Sequence, residues 1–126
     1  MVLFLLIEMR NFAFPKTRRL TDPKDFELVK KHGVAQRDKL LLVSVLKTGA
    51  ARAFCAGFVT SGRIGNAVVR NRLRRRLREI VRKHQHEIIT PLWMVTIARQ
   101  AAVHATFAEL EDAWLRLAKR ASILAL

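Results

Sequence analysis

The stretch GNAVVRNRLRRRLREIVRK, residues 65–83, decides how this chain is read. Six arginines fall within the nine residues 70–78, and Glu79 is the single acid of the stretch. An apolar residue recurs every three or four positions, the period of an α-helix with one buried face. On a wheel of about 100° per residue, Val69, Leu73, Leu77, Ile80, Val81 and His84 fall within a sector of roughly 120°. Arg70, Arg72, Arg74, Arg75, Arg76, Arg78, Arg82 and Lys83 fill the remainder. Asn66 stands where an N-cap is needed, its side-chain oxygen accepting from the amide of Val68 or Val69. The pattern predicts a helix from there to about His86. Its apolar stripe docks on the protein's own core, and the charges are left outside.

That outer face works against folding. Arg70, Arg74, Arg78 and Arg82 follow one another at i, i+4, where like charges repel by roughly 0.2–0.5 kcal/mol per pair. Solubility alone would be served by alternating signs. Guanidinium groups bind phosphate in a bidentate fork and stack on bases. A fold that accepts this repulsion is expected to be compensated on meeting phosphates.

The whole chain agrees. Its 126 residues fit one domain and suffice for a core without staples. Apolar residues make up 51%, which excludes a disordered basic tail. Lys and Arg number 24 against 10 for Asp and Glu, a formal charge of +14. A compact protein this basic meets a polyanion, with nucleic acid the first candidate and an anionic membrane surface the second. Cys55 is the only cysteine, so no intrachain disulfide or cysteine-based metal site is expected, and it reads as a small core residue. Residues 2–7 are apolar, but the run is too short to span a membrane. No basic region precedes it and no small-residue cleavage site follows, so a signal peptide is not expected either. Met9 offers an alternative start. Residues 1–15 read as an N-terminal extension and residues 16–126 as a single domain.

Outward from the arginine stretch, TDPKDFELVKKHG (residues 21–33) reads as a helix of about ten residues. Thr21 or Asp22 caps it, Pro23 fits its first turn and Gly33 closes it. Residues 39–47 and 52–60 read as two strands joined by a turn at 48–51, an expected antiparallel hairpin. Pro91 breaks the chain, and residues 92–99 read as another strand. Thr106 and Glu109 form a capping box that opens a last helix to about Ala121. The apolar stripe of that helix is Phe107, Leu110, Trp114, Leu117 and Ala121. The element order suggests an α+β sandwich, helices over a mixed sheet.

Several chemistries find no support. His32, His84, His86 and His104 are scattered, and His84 and His86 do not face each other on a helix. There are no paired carboxylates, no HExxH and no glycine-rich phosphate loop between strand and helix. Gly62-Arg-Ile-Gly65 is too short for a nucleotide loop. A membrane-surface helix would carry Trp or Phe on its apolar face. Here that face is Leu, Ile and Val. A general RNA-binding or ribosomal-type protein without a role in cleavage is the alternative that composition leaves open.

SGRIGNAVVRNRLRRRLRE (residues 61–79), with Gly-Asn-Ala-Val followed by Arg-Asn-Arg, resembles the bacterial ribonuclease P protein component. RRLTDPKDFELVKKHG and RDKLLLVSVL resemble that family's first helix and strand, in order and spacing. WMVTIARQAA and FAELEDAWLRLAKRA resemble its closing strand and helix. The resemblance covers roughly residues 16–121. It implies a two-layer α+β sandwich of a four-stranded mixed sheet and about three helices, with a left-handed βαβ crossover into the basic helix. It implies a holoenzyme that removes the 5′ leader of precursor tRNA in the cytoplasm. Catalysis there belongs to the RNA subunit and its Mg²⁺ ions. The protein itself binds no cofactor, and one protein pairs with one RNA.

The same resemblance assigns residues. Contacts to the catalytic RNA fall on Arg63, Asn66, Arg70, Asn71, Arg72, Arg74, Arg75 and Arg78. The leader-binding cleft, between the first helix and the sheet, falls on Phe26, Lys30 and Arg37. An aromatic surface in a basic groove suits single-stranded RNA, at about 1–3 kcal/mol per stacked base. Folded RNA suits arginine contacts to phosphates and shape. Two departures stand out. Gly62 occupies a position where the family often has lysine. Lys30 and Ser44 stand where relatives often carry aromatics, and the chain has no tyrosine. Leader binding is therefore expected to lean on charge more than on stacking.

Overall fold

The computed structural model describes residues 19–47, 54–88 and 91–124. The expected turn at 48–51 and the extension at 1–15 lie outside these residues. Helix α1 (Pro23–His32) starts at Asp22, whose carboxylate accepts from the amide of Lys24 at 2.9 Å, with Pro23 in the first turn. It ends at Gly33, whose amide donates to the Val29 carbonyl at 2.8 Å. Glycine is needed there for space. A Cβ would stand 2.4 Å from the Val29 carbonyl oxygen and 2.9 Å from Ser44 Oγ.

Strand β1 (Val34–Arg37) turns into β2 (Leu41–Leu46) through Asp38. The Asp38 carboxylate accepts from the amides of Leu40 and Leu41 at 2.8 and 2.9 Å. Strand β3 (Cys55–Val59) leads into α2 (Ala67–His84) and β4 (Trp93–Ala98), and α3 (Phe107–Arg120) follows. The sheet order is β1-β2-β4-β3. β2 pairs antiparallel with β1 and with β4, whereas β3 pairs parallel with β4. The fold is α+β, as expected.

The expected hairpin between residues 39–47 and 52–60 does not form. β4 lies between the two runs, and the antiparallel partner of β2 on its other side is β1. Burial explains the order. β2 and β4 offer apolar side chains to both faces of the sheet, so they take the centre. β1, Val-Ala-Gln-Arg, is mostly exposed and takes one edge. β3 takes the other, with Arg19 forming a parallel bridge to Ala56 along its outer side.

Alternation along the strands builds two apolar clusters. Leu41, Val43, Val45, Ala56, Met94 and Ala98 face α2 and α3 in the main core. Val95 faces the other way with Leu20 and Val29, and Cys55, Val59, Trp93 and Ile97 pack beside them. Helix α1 covers that second face. Cys55 is thus half-buried against the smaller cluster.

The two helices on the main core formed as their patterns required. Asn66 Oδ1 accepts from the Val69 amide at 3.0 Å, and α2 runs to His84 before a single 3-10 turn at Gln85–Glu87. The 3-10 turn takes up the last two residues that periodicity assigned to the helix. Leu73, Leu77, Ile80 and Val81 are buried. Thr106 and Glu109 close the capping box at 3.0 and 3.1 Å. Leu110, Trp114 and Leu117 are buried, and Phe107 and Ala121 are half-buried. His84 lies in the seam, its ring stacked on Trp114 with centroids 6.0 Å apart. Its Nδ1 faces Glu87, and its Nε2 lies 3.0 Å from Glu111.

Magnitudes decide whether α2 stays docked. Four buried aliphatic side chains contribute roughly 6–12 kcal/mol as an upper estimate, at about 1.5–3 each. Four i, i+4 arginine pairs oppose this with about 1–2 kcal/mol. Burial wins by a wide margin, so the helix tolerates its charge.

Candidate nucleic-acid interface

The exposed face of α2 is not uniform. Arg76 turns inward and donates from Nη1 to the Ala105 carbonyl at 3.3 Å. Arg82 pairs with Glu79, donating from Nε to Oε2 at 3.0 Å. The pair lowers the Glu79 pKa and raises that of Arg82. These two arginines are engaged within the protein. Asn71 accepts a hydrogen bond from Arg74, which fixes that guanidinium relative to the helix.

Arg74, Arg75 and Arg78 lean toward the outer edge of β3. Because β3 is an edge strand, α2 on one face and α1 on the other meet around it. A cleft of about 460 Å³ opens there. Arg19, Asn71, Arg74, Arg75 and Arg78 line it, with Phe26, Gly57 and Phe58 supplying apolar wall. Burial depresses the Arg78 pKa, and the charges of Arg19, Arg74 and Arg75 depress it further. A guanidinium remains charged under such a shift. The shift reports four like charges held close together. The Nε atoms of Arg70 and Arg78 are buried and have no hydrogen-bond partner.

A second cleft, about 400 Å³, lies between α1 and the sheet. Phe26, Lys30 and Ser44 line it together with the aliphatic surface of Val59, Val95 and Ile97. The Ser44 hydroxyl is engaged, donating to the Val29 carbonyl at 3.3 Å. Phe26 lines both clefts.

The expected site residues divide accordingly. Asn71, Arg74, Arg75 and Arg78 join the basic cleft, and Phe26 and Lys30 the apolar one. Arg63, Asn66, Arg70 and Arg72 line neither cleft. Arg63 and Asn66 are exposed before and at the start of α2, and Arg72 is exposed along it. Arg37 is exposed at the end of β1 and also lines neither. Sequence reading missed Arg19, Gly57 and Phe58. Arg19 reaches the site through a backbone hydrogen bond, Leu20 amide to Ala56 carbonyl at 2.8 Å, for which no local signal exists.

Among the described residues, no group of three or more His, Cys, Asp or Glu side chains gathers to hold a metal ion. No helix among them is long and apolar enough to cross a membrane.

Comparison with known proteins follows the same lines. Residues 14–122 match the family model for ribonuclease P. The ribonuclease P protein component of Symbiobacterium thermophilum is 38% identical over 109 residues, covering 86% of this chain and 95% of the relative. That of Brevibacillus brevis is 34% identical over 109 residues, covering 86% of each. The RNase P protein of Staphylococcus aureus superposes with a TM-score of 0.80 at 26% identity, over 85% of this chain and 97% of that one. The Thermotoga maritima RNase P protein gives 0.73 at 29% identity, over 81% and 96%. This chain therefore belongs to the family of the ribonuclease P protein component.

Proposed function

We propose that this ribonuclease P protein binds two RNAs at once. The loop before α2 and the exposed arginines of α2 hold the catalytic RNA through its phosphates. The clefts on either side of Phe26 take the single-stranded 5′ leader of precursor tRNA. The chain thereby assists an endoribonuclease whose catalytic centre and Mg²⁺ ions belong to the RNA subunit. It works in the cytoplasm, one protein to one RNA. The observation that carries this reading is the gathering of Arg19, Arg74, Arg75 and Arg78 around one cleft beside Phe26. Charge of that density suits a phosphate backbone, and an aromatic face beside it suits an unpaired base.

Reconstitution tests it. Purified protein is mixed with a bacterial ribonuclease P RNA and a precursor tRNA at low Mg²⁺, alongside protein-alone and RNA-alone controls. Cleavage at the mature 5′ end is expected only in the mixture. Cleavage by the protein alone would place the chemistry in this chain. Binding without any gain in cleavage would favour a general RNA-binding protein.

A further inference from the structure

Gly57 lies in β3 between Ala56 and Phe58, both of which face the main core. By the period of a strand, the missing side chain of Gly57 points the other way, toward α1. Phe26 fills that space. A Cβ on Gly57 would stand 2.5 Å from both Cε1 and Cζ of the Phe26 ring, and 3.3 Å from Leu20 Cβ. Real carbon atoms do not approach so closely, so the ring rests against the strand backbone only because residue 57 is glycine.

Seated there, Phe26 stands between surfaces of opposite character. On one side are Arg74, Arg75 and Arg78. On the other are Val59, Val95 and Ile97. A nucleotide has the same two-sided chemistry, a charged phosphate joined through its sugar to a base with an apolar face. We propose that Gly57 is a positioning residue for the leader. It seats Phe26 as a divider, so that one nucleotide of a single-stranded RNA straddles the ring, phosphate toward the arginines and base toward the aliphatic cleft. This inference rests on the leader-binding reading above and deepens it.

The seat is selective in its effect. Phe26 is only half-buried, and the atoms a methyl group at position 57 would meet are the far end of its ring, so the ring yields rather than the strand. Gly57→Ala is therefore expected to fold and to bind ribonuclease P RNA as the wild type does, while unseating the divider.

The experiment uses reconstituted holoenzyme and two precursor tRNAs, one with a long leader and one with a single-nucleotide leader. Phe26→Leu, Gly57→Ala and the double variant are compared by KM and kcat, with melting temperature and RNA affinity measured alongside. Gly57→Ala should raise KM for the long leader about tenfold, the scale of one lost base stack, with a much smaller effect on the short leader and on kcat. The double variant should match Phe26→Leu alone, because the methyl group then has no ring to displace. Unchanged leader dependence in Gly57→Ala, an equal loss on both leaders, or additive losses in the double variant would each overturn the assignment. Should Gly57→Ala fail to fold, the double variant relieves the crowding. Its equality with Phe26→Leu supports the proposal, and a further loss sinks it. If Phe26→Leu itself leaves leader dependence untouched, the leader-binding reading falls. If Phe26→Leu acts and Gly57→Ala does not, only the role of Gly57 falls.

Discussion

Helices α2 and α3 pack side by side on one face of the same sheet, each by an apolar stripe, yet their outer faces differ completely. The stripe of α3 buries Leu110, Trp114 and Leu117, and that of α2 buries Leu73, Leu77 and Ile80. On its outer face α3 carries Glu109, Glu111 and Asp112 against Arg116, Lys119 and Arg120, an even balance. α2 carries seven arginines and Lys83 outside its buried stripe, with Glu79 as its one acid. Architecture therefore does not require the arginines, since a neighbouring helix performs the same structural task without them. What differs is the surroundings. α2 borders the edge strand β3, where the basic cleft opens, whereas α3 is tied into the fold through Asp38, Lys83 and His84.

The largest test removes the feature the helices share. Leu77→Ala and Leu117→Ala each empty a fully buried site, and both should lose about 2–5 kcal/mol in denaturant unfolding. A loss confined to one helix would mean that the two stripes are not equivalent. The next test removes what they do not share. Arg70→Ala with Arg72→Ala, which line neither cleft, should weaken binding to ribonuclease P RNA by about a hundredfold, at roughly one charged contact per tenfold. Melting temperature should hold or rise as repulsion is relieved. Arg116→Ala with Lys119→Ala on α3 should change RNA affinity less than about threefold. Equal losses from the two pairs would reduce the role of α2 to net charge. Salt sharpens the point. With about six phosphate contacts, log K against log salt should fall with a slope of roughly −4 to −5. The α2 double variant should flatten that slope by about two contacts.

Smaller still is the effect of the caps. Asn66→Ala and Thr106→Ala should each destabilise by about 1 kcal/mol, because each removes the acceptor for an otherwise unpaired amide. Thermal melts should place the two within error of each other. Only Asn66→Ala should also weaken RNA binding, since it frays the end of α2 next to Arg63.

These caps were legible in the sequence because they are local. Asn66 and Val69, and Thr106 and Glu109, lie three residues apart, and their chemistry is complete within one turn. Sheet order was not legible, because β4 arrives from more than thirty residues away and displaces a neighbour that periodicity alone would pair with β2. The arginine face was legible as a face, but its division was not. Arg76 turns back to a carbonyl beyond β4, and Arg19 arrives from the far side of β3. Gly33 reads as a helix terminator and in fact makes room for Val29 and Ser44. The Phe26–Gly57 contact joins a helix and a strand thirty-one positions apart, and neither residue type announces the other.

Acid acts on both helices by a fine margin, for Glu79 on α2 is held down by Arg82 while the other depressed carboxyls lie on or against α3. Burial alone would raise the carboxyl pKa of Asp38, but the amides of Leu41 and Leu40 and the Arg116 guanidinium outweigh it and hold the group below its ordinary range. Glu111 is likewise buried enough to be raised, yet Lys83 and His84 hold it down. The Thr106 amide and hydroxyl depress Glu109. All three belong to α3 or anchor it. A carboxyl depressed in the folded state contributes stability that is complete above its unfolded pKa, near 4, and lost as pH falls through the folded value. The melting temperature should thus be flat from neutral pH to about 5 and fall below about 4. General repulsion in a chain of charge +14 falls on the same side of the scale, since carboxyl protonation raises net charge further. Salt distinguishes the two causes. Screening relieves long-range repulsion but acts weakly on the hydrogen bonds these carboxylates accept at 2.8–3.0 Å. Asp38→Asn with Glu109→Gln keeps acceptor oxygens in place and removes their protons' effect. It should flatten the acid limb by a few degrees at high salt, where the repulsive part has already been screened. An acid limb that vanishes on adding salt, and is the same with or without these substitutions, would assign the whole transition to the arginines of α2.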